Sequence, residues 1–139
     1  MTGYDKIGVN WGSAFETARK CWGWEPHSDA QRDWITCDTR NKIAACGRRW
    51  GKSEATAIDI IFSAFANPGM IQFVIAPTDD QVRTIMNEVS RRMRQLPGGQ
   101  ALFSEVKSPY HTITLRPASG VTQGSVIKGR SVGPTGRIL

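Results

Sequence analysis

The stretch "AACGRRWGKSEATAI", Ala44 to Ile58, decides how this chain is read. It contains Gly51-Lys52-Ser53, the ending of the phosphate-binding pattern G-x-x-x-x-G-K-[ST]. The pattern asks for a glycine where this chain has Cys46, and Gly47 follows one place later. The flanks supply the context that the motif needs. Lys42 to Cys46, "KIAAC", is short, apolar and bounded by Asn41 and Gly47, and it predicts a buried strand. Lys52 to Ala66, "KSEATAIDIIFSAFA", has strong helix formers and apolar residues on nearly every face. It predicts a buried helix, stopped by Asn67-Pro68-Gly69.

A strand, a glycine-bearing loop and a helix in that order can hold an anion for a physical reason. Glycine lets the backbone turn its N–H groups inward, and the helix N-terminus adds its own N–H groups and positive dipole end. On this reading Lys52 reaches the β- and γ-phosphates, Ser53 places its hydroxyl on Mg²⁺, and Gly51 leaves room for close backbone approach. Gly47 takes over the sharp turn, and Cys46 offers a small side chain in place of the missing glycine. Arg48 and Arg49 add fixed positive charge beside the γ-phosphate. One of them is expected to stabilise charge on the transferring group, while the other faces solvent or DNA.

Working outward, "SAFETARKCW" reads as a short helix with Ser13 as its cap, and "PHSDAQRDWIT" as a second helix capped by Ser28 or Asp29. "MIQFVIAP", Met70 to Pro77, is an apolar run of strand length. Thr78 then caps a helix whose first turn holds Asp79 and Asp80, in keeping with the dipole. Val82, Ile85, Met86, Val89, Met93 and Leu96 recur on one face of it. "TITLRP" and "SVIKG" read as a hairpin around the loop from Gly120 to Gly124. Strand, loop, helix, strand, helix, hairpin implies an α/β sheet with helices packed on it.

Composition narrows the class. The 139 residues suit one domain, and no apolar run is long enough to span a bilayer. Three cysteines without C-x-x-C spacing argue against a disulfide framework or a zinc site. His27 and His111 have no ligand-spaced partners. The net charge of +6 is uneven: residues 1–82 hold 9 Lys+Arg against 10 Asp+Glu, and residues 83–139 hold 9 against 2. A basic half points to an anionic partner, with nucleic acid first, or to a solvated surface. Arg91, Arg92, Arg94, Lys128 and Arg130 are the candidate phosphate contacts.

"GRRWGKS" after an apolar strand, with "VIAPTDDQVRTI" about 25 residues on, resembles the ATPase domain of the large terminase subunit of tailed bacteriophages. The resemblance covers roughly residues 24–139, and the Walker A loop is its most specific part. It implies an α/β P-loop NTPase of RecA/ASCE type, a three-layer sandwich with a mostly parallel sheet. Residues 1–40 would form a helical region with the adenine motif, and residues 41–139 part of the ATPase core. It implies that Gly47, Arg48, Arg49, Trp50, Gly51, Lys52 and Ser53 bind ATP and Mg²⁺, with Lys52 and Arg48 catalytic. It assigns the adenine to Gln31, whose carboxamide can donate and accept at once. Trp24 and Trp34 either flank the base or serve as core anchors.

The implied partners are double-stranded DNA, the phage portal and the small terminase subunit, in a homo-oligomeric ring in the host cytoplasm without a membrane. The family's Walker B motif, an apolar strand ending in Asp and followed by a catalytic Glu, has no counterpart here, nor has its nuclease domain. The expectation is therefore an N-terminal piece of a longer protein, truncated before Walker B. Asp59, Asp79 and Asp80 are the acids that stand nearest to a substitute. Two other readings fit the same residues: a segment of another P-loop motor such as a helicase, and a catalytically silent nucleotide- or DNA-binding module.

Overall fold

Helix α3 (Lys52–Ala66) lies between two cores, as its apolar circumference requires. The computed structural model describes residues 12–37, 39, 41–45, 51–117 and 124–133. One side of α3 buries Ala57, Ile60, Ile61 and Ala64 against helix α4 (Asp79–Arg94) and a four-stranded sheet. The other side buries Ala55 and Ile58 against Ala18, Trp24 and Ile35, which belong to helices α1 (Gly12–Trp22) and α2 (Asp29–Thr36) and the link between them. The caps explain where two helices start. Ser28 accepts from the Gln31 N–H at the head of α2, and Thr78 accepts from the Gln81 N–H at the head of α4. Helix α1 begins at Gly12, so Ser13 lies inside it rather than at its cap.

The sheet holds β1 (Ile71–Ala76), β2 (Phe103–Val106), β3 (Thr112–Leu115) and β4 (Val126–Ser131) in the order β1-β4-β3-β2. The expected hairpin is present, with Ile113 opposite Ile127. Two features correct the sequence reading. The sheet is mixed rather than mostly parallel: β1–β4 is parallel, while β4–β3 and β3–β2 are antiparallel. β2 was not foreseen, and its short link to β3 forces an antiparallel pair. In addition, Lys42 to Ala45 forms no strand, and Ile43 is 91% exposed. Lys42 is instead drawn to α3 and α2, where its ammonium bonds Asp59 at 3.1 Å and lies over the Trp34 ring.

Among the described residues the helices cover one sheet face, and α1 and α2 form a third layer outside α3. β1 alternates accordingly. Val74 and Ala76 pack against the core and Gln72 donates to the Ile60 carbonyl, while Ile71, Phe73 and Ile75 face outward. Met86, Val89, Met93, Ile113 and Ile127 are fully buried, each contributing about 1.5–3 kcal/mol of transfer free energy. No helix among the described residues is long and apolar enough to cross a membrane.

β4 passes directly under α4, and Gly129 makes room for it. A Cβ there would stand 2.6 Å from Val82 Cγ1 and 3.1 Å from Met86 Cγ. Gly129→Val is expected to lower stability by about 1–3 kcal/mol through overpacking. Equilibrium urea unfolding of both proteins checks this; an unchanged midpoint would place α4 elsewhere.

Candidate functional site

The phosphate motif meets the described structure at the head of α3. Gly51 is its N-cap, in the left-handed region with φ +87°, and having no side chain it makes no capping hydrogen bond of its own. Only glycine holds that conformation without strain. Among the described residues no side chain takes up the first N–H groups of α3, which lie beside Lys52 and Ser53, both exposed. Those open donors and the dipole favour an anion at this end. Cys46, Gly47, Arg48, Arg49 and Trp50 lie outside the described residues.

The segment from Trp24 to Gln31 grips this helix end at two points. Gln31 is fully buried; its carboxamide accepts the His27 N–H at 2.6 Å and donates to the Gly51 carbonyl at 3.1 Å. Glu54, the acid of the first turn of α3, accepts from the Trp24 indole at 3.2 Å and pairs with His27 at 3.4 Å. The carboxylate is thus directed to Trp24 and His27. Trp24 is a buried anchor at 6% exposure, and Phe15 meets it edge-on. The Trp34 indole N–H is buried without a partner among the described residues, and Trp34 lines a cavity of about 210 Å³ with Ala44, Lys52, Ala55 and Thr56. A larger apolar cavity of about 310 Å³ lies toward the other end of α3, lined by Phe62, Phe65 and Ala66 with Trp22 and Leu96.

Sequence reasoning missed this grip. Its signals were weak: His27 and Gln31 are four residues apart across the start of α2, and Glu54 stands three beyond Gly51. It also missed the role of Asp59, which sits on α3 bonded to Lys42 rather than at the helix head. Burial raises the Asp59 carboxyl above its ordinary value, opposed by the charge and hydrogen bond of Lys42.

The five basic candidates do not share a surface. Arg92 is 7% exposed and bonds Glu88 at 2.8 Å, so it is withdrawn from any external phosphate. Arg91 chelates the same Glu88, and Arg94 bonds Glu105 at 2.8 Å. The hydrogen bond from Arg91 holds the Glu88 carboxyl below its ordinary value, aided by Arg92 against the opposing effect of burial. Glu105 also lies below its ordinary value: burial raises it, but the hydrogen bond and charge of His111 and the charge of Arg94 outweigh that. Lys128 and Arg130 are on the opposite, outward sheet face, over the Phe73 and Tyr110 rings.

No protein-family profile matches the chain. Over 74 residues, 53% of this chain, it is 35% identical to the terminase large subunit of Thermus phage G20c and equally to that of Thermus virus P23-45. The matched segment spans 15% of those relatives. Two structures of the Thermus phage P74-26 large terminase ATPase domain superpose over 84% of this chain. One, an arginine-to-alanine variant, has TM-score 0.66 at 26% identity over 50% of its length. The other has TM-score 0.63 at 25% identity over 49%.

The Lys42–Asp59 pair gives a pH-dependent expectation. With Lys42→Met, burial acts on Asp59 unopposed and its folded pKa rises further above the unfolded one. The folded state then holds the proton longer, so stability is present at low pH and is lost as pH rises from the unfolded value through the folded one. Urea unfolding of Lys42→Met should show a larger loss at pH 8 than at pH 4, and adding Asp59→Asn should restore stability at pH 8. A loss of equal size at both pH values would contradict the pairing.

Proposed function

We propose that this chain, whose fold is that of the ATPase domain of phage large terminases, is the ATP-binding part of a motor that packages double-stranded DNA into a viral capsid. The observation that carries the reading is the head of α3: a helix N-terminus without a side-chain cap among the described residues, behind a left-handed Gly51, with Lys52 and Ser53 exposed beside it. This donor set fits a magnesium-bound triphosphate. Lys52 supplies a mobile point charge for the β- and γ-phosphates, and the Ser53 hydroxyl a ligand for Mg²⁺. When bound, Mg²⁺ would neutralise charge on the β- and γ-oxygens. The N–H groups at the head of α3 orient the triphosphate, and in hydrolysis water attacks the γ-phosphorus, the bond to the β–γ bridging oxygen breaks, and ADP, inorganic phosphate and a proton are released.

The loop residues Gly47, Arg48, Arg49 and Trp50 complete the cradle in this proposal, with Arg48 as the arginine that meets the transferring group. The full-length protein would act in the host cytoplasm as a ring with the portal and small subunit. Of the five basic candidates, Arg91, Arg92 and Arg94 are ion-paired, while Lys128 and Arg130, half-exposed on the outward sheet face, pair with no carboxylate among the described residues and are the ones this reading gives to DNA. Such contacts weaken steeply with salt.

Calorimetric titration of Mg-ATP into this chain and into Lys52→Ala tests the reading. The chain should bind, and the substitution should weaken binding by about tenfold or more, which is the loss of about 1.4 kcal/mol. Equal affinity in the two proteins would remove Lys52 from the site and the proposal with it.

A further inference from the structure

We propose that Gln31 is a positioning residue for the phosphate site, acting through the Gly51 carbonyl rather than on the base; this rests on the function proposed above. The Gly51 carbonyl has two donors: the Ala55 N–H at 3.0 Å, the first turn of α3, and the Gln31 amide at 3.1 Å. A peptide unit is planar and trans, so its carbonyl and the following N–H point in opposite directions. Two donors fixing the Gly51 carbonyl along the helix therefore fix the Lys52 N–H outward, toward an anion at the helix head. Gln31 thereby turns one of the open donors of the site into a held one.

The surroundings make this contact difficult to replace. Gln31 is fully buried, and its carboxamide oxygen takes the His27 N–H, which fixes which end faces Gly51. Gly51 carries no side chain where Gln31 lies: a Cβ there would collide with the Gln31 amide nitrogen and stand 2.9 Å from His27 Cδ2. Left-handed φ and close approach thus demand glycine for two separate reasons at one residue. Glu54, held by Trp24 and His27, braces the same turn from the side. The Gln31 carboxamide thus engages two backbone groups at the head of α3, and any nucleotide with a triphosphate gains from the held Gly51 carbonyl whatever its base.

The discriminating probe is a ligand without a base. Mg-ATP, Mg-GTP and magnesium tripolyphosphate are titrated calorimetrically into the full chain and into Gln31→Met, which keeps the bulk and loses both hydrogen bonds. Thermal unfolding of each protein fixes a temperature at which both are folded. Weakening of all three ligands by a similar factor, about tenfold, is expected. Weakening of ATP alone, with tripolyphosphate unchanged, would assign Gln31 to the base and overturn the positioning role. Unchanged affinity for all three would overturn it too. If Gln31→Met does not fold, Gln31→Glu is used; it keeps the acceptor for His27, loses the donor to Gly51 and has the same expected result. Failure of the unsubstituted chain to bind any of the three defeats the functional reading and this one together, and is distinguished from the other outcomes by that alone.

Discussion

The head of a helix that binds an anion must satisfy opposing demands. Its first N–H groups have to stay free of side-chain caps, yet they have to be held in place, because a frayed first turn presents no fixed donors. Here the Gly51 carbonyl reconciles the two. It is fixed from below by α3 itself and from the side by Gln31, and neither contact uses the outward N–H groups. The N-terminal helices share a core with α3 through Ile35, Trp24 and Ile58, and that core is what places Gln31 against Gly51. A hydrogen bond of this kind contributes only about 0.5–1.5 kcal/mol net. Its larger effect in the proposed site is geometric, since it would set the direction of the donors at the head of α3.

Charge is distributed by a similar division between holding and presenting. The basic half of the sequence promised an electropositive surface, but Glu88 and Glu105 are its only acids and together they engage three arginines. Arg92 also bridges layers: its carbonyl accepts from the Trp22 indole at 2.8 Å, joining α4 to α1. The positive charge that remains accessible on β4 lies over aromatic rings, which restrains Lys128 and Arg130 without neutralising them. Net charge thus overstated what one face can offer to a polyanion.

Local elements were legible in the sequence because their causes are local. The α3 bounds follow from Gly51 and from Asn67-Pro68-Gly69, and the α4 start from Thr78 with two following aspartates. Strand order was not legible, because it is set by pairing between distant segments. β2 was invisible since "FSEV" buries only Phe103, too little for a periodic signal. "KIAAC" carried a strand signal, but Lys42 is tied to Asp59 and Trp34, a choice decided by residues far along the chain. At the candidate site, the position of Lys52 and Ser53 at a helix head was legible from their motif; the Gln31–Gly51 contact was not, because it joins residues 20 apart through a backbone carbonyl.

The most direct test is a crystal structure of this chain with Mg²⁺ and a non-hydrolysable ATP analogue. The account predicts the triphosphate at the head of α3, with the Lys52 ammonium within about 4 Å of a phosphate oxygen, Gly51 still left-handed and Gln31 still on its carbonyl. A triphosphate bound away from α3, or Gln31 released from Gly51 and turned onto the adenine, would contradict it.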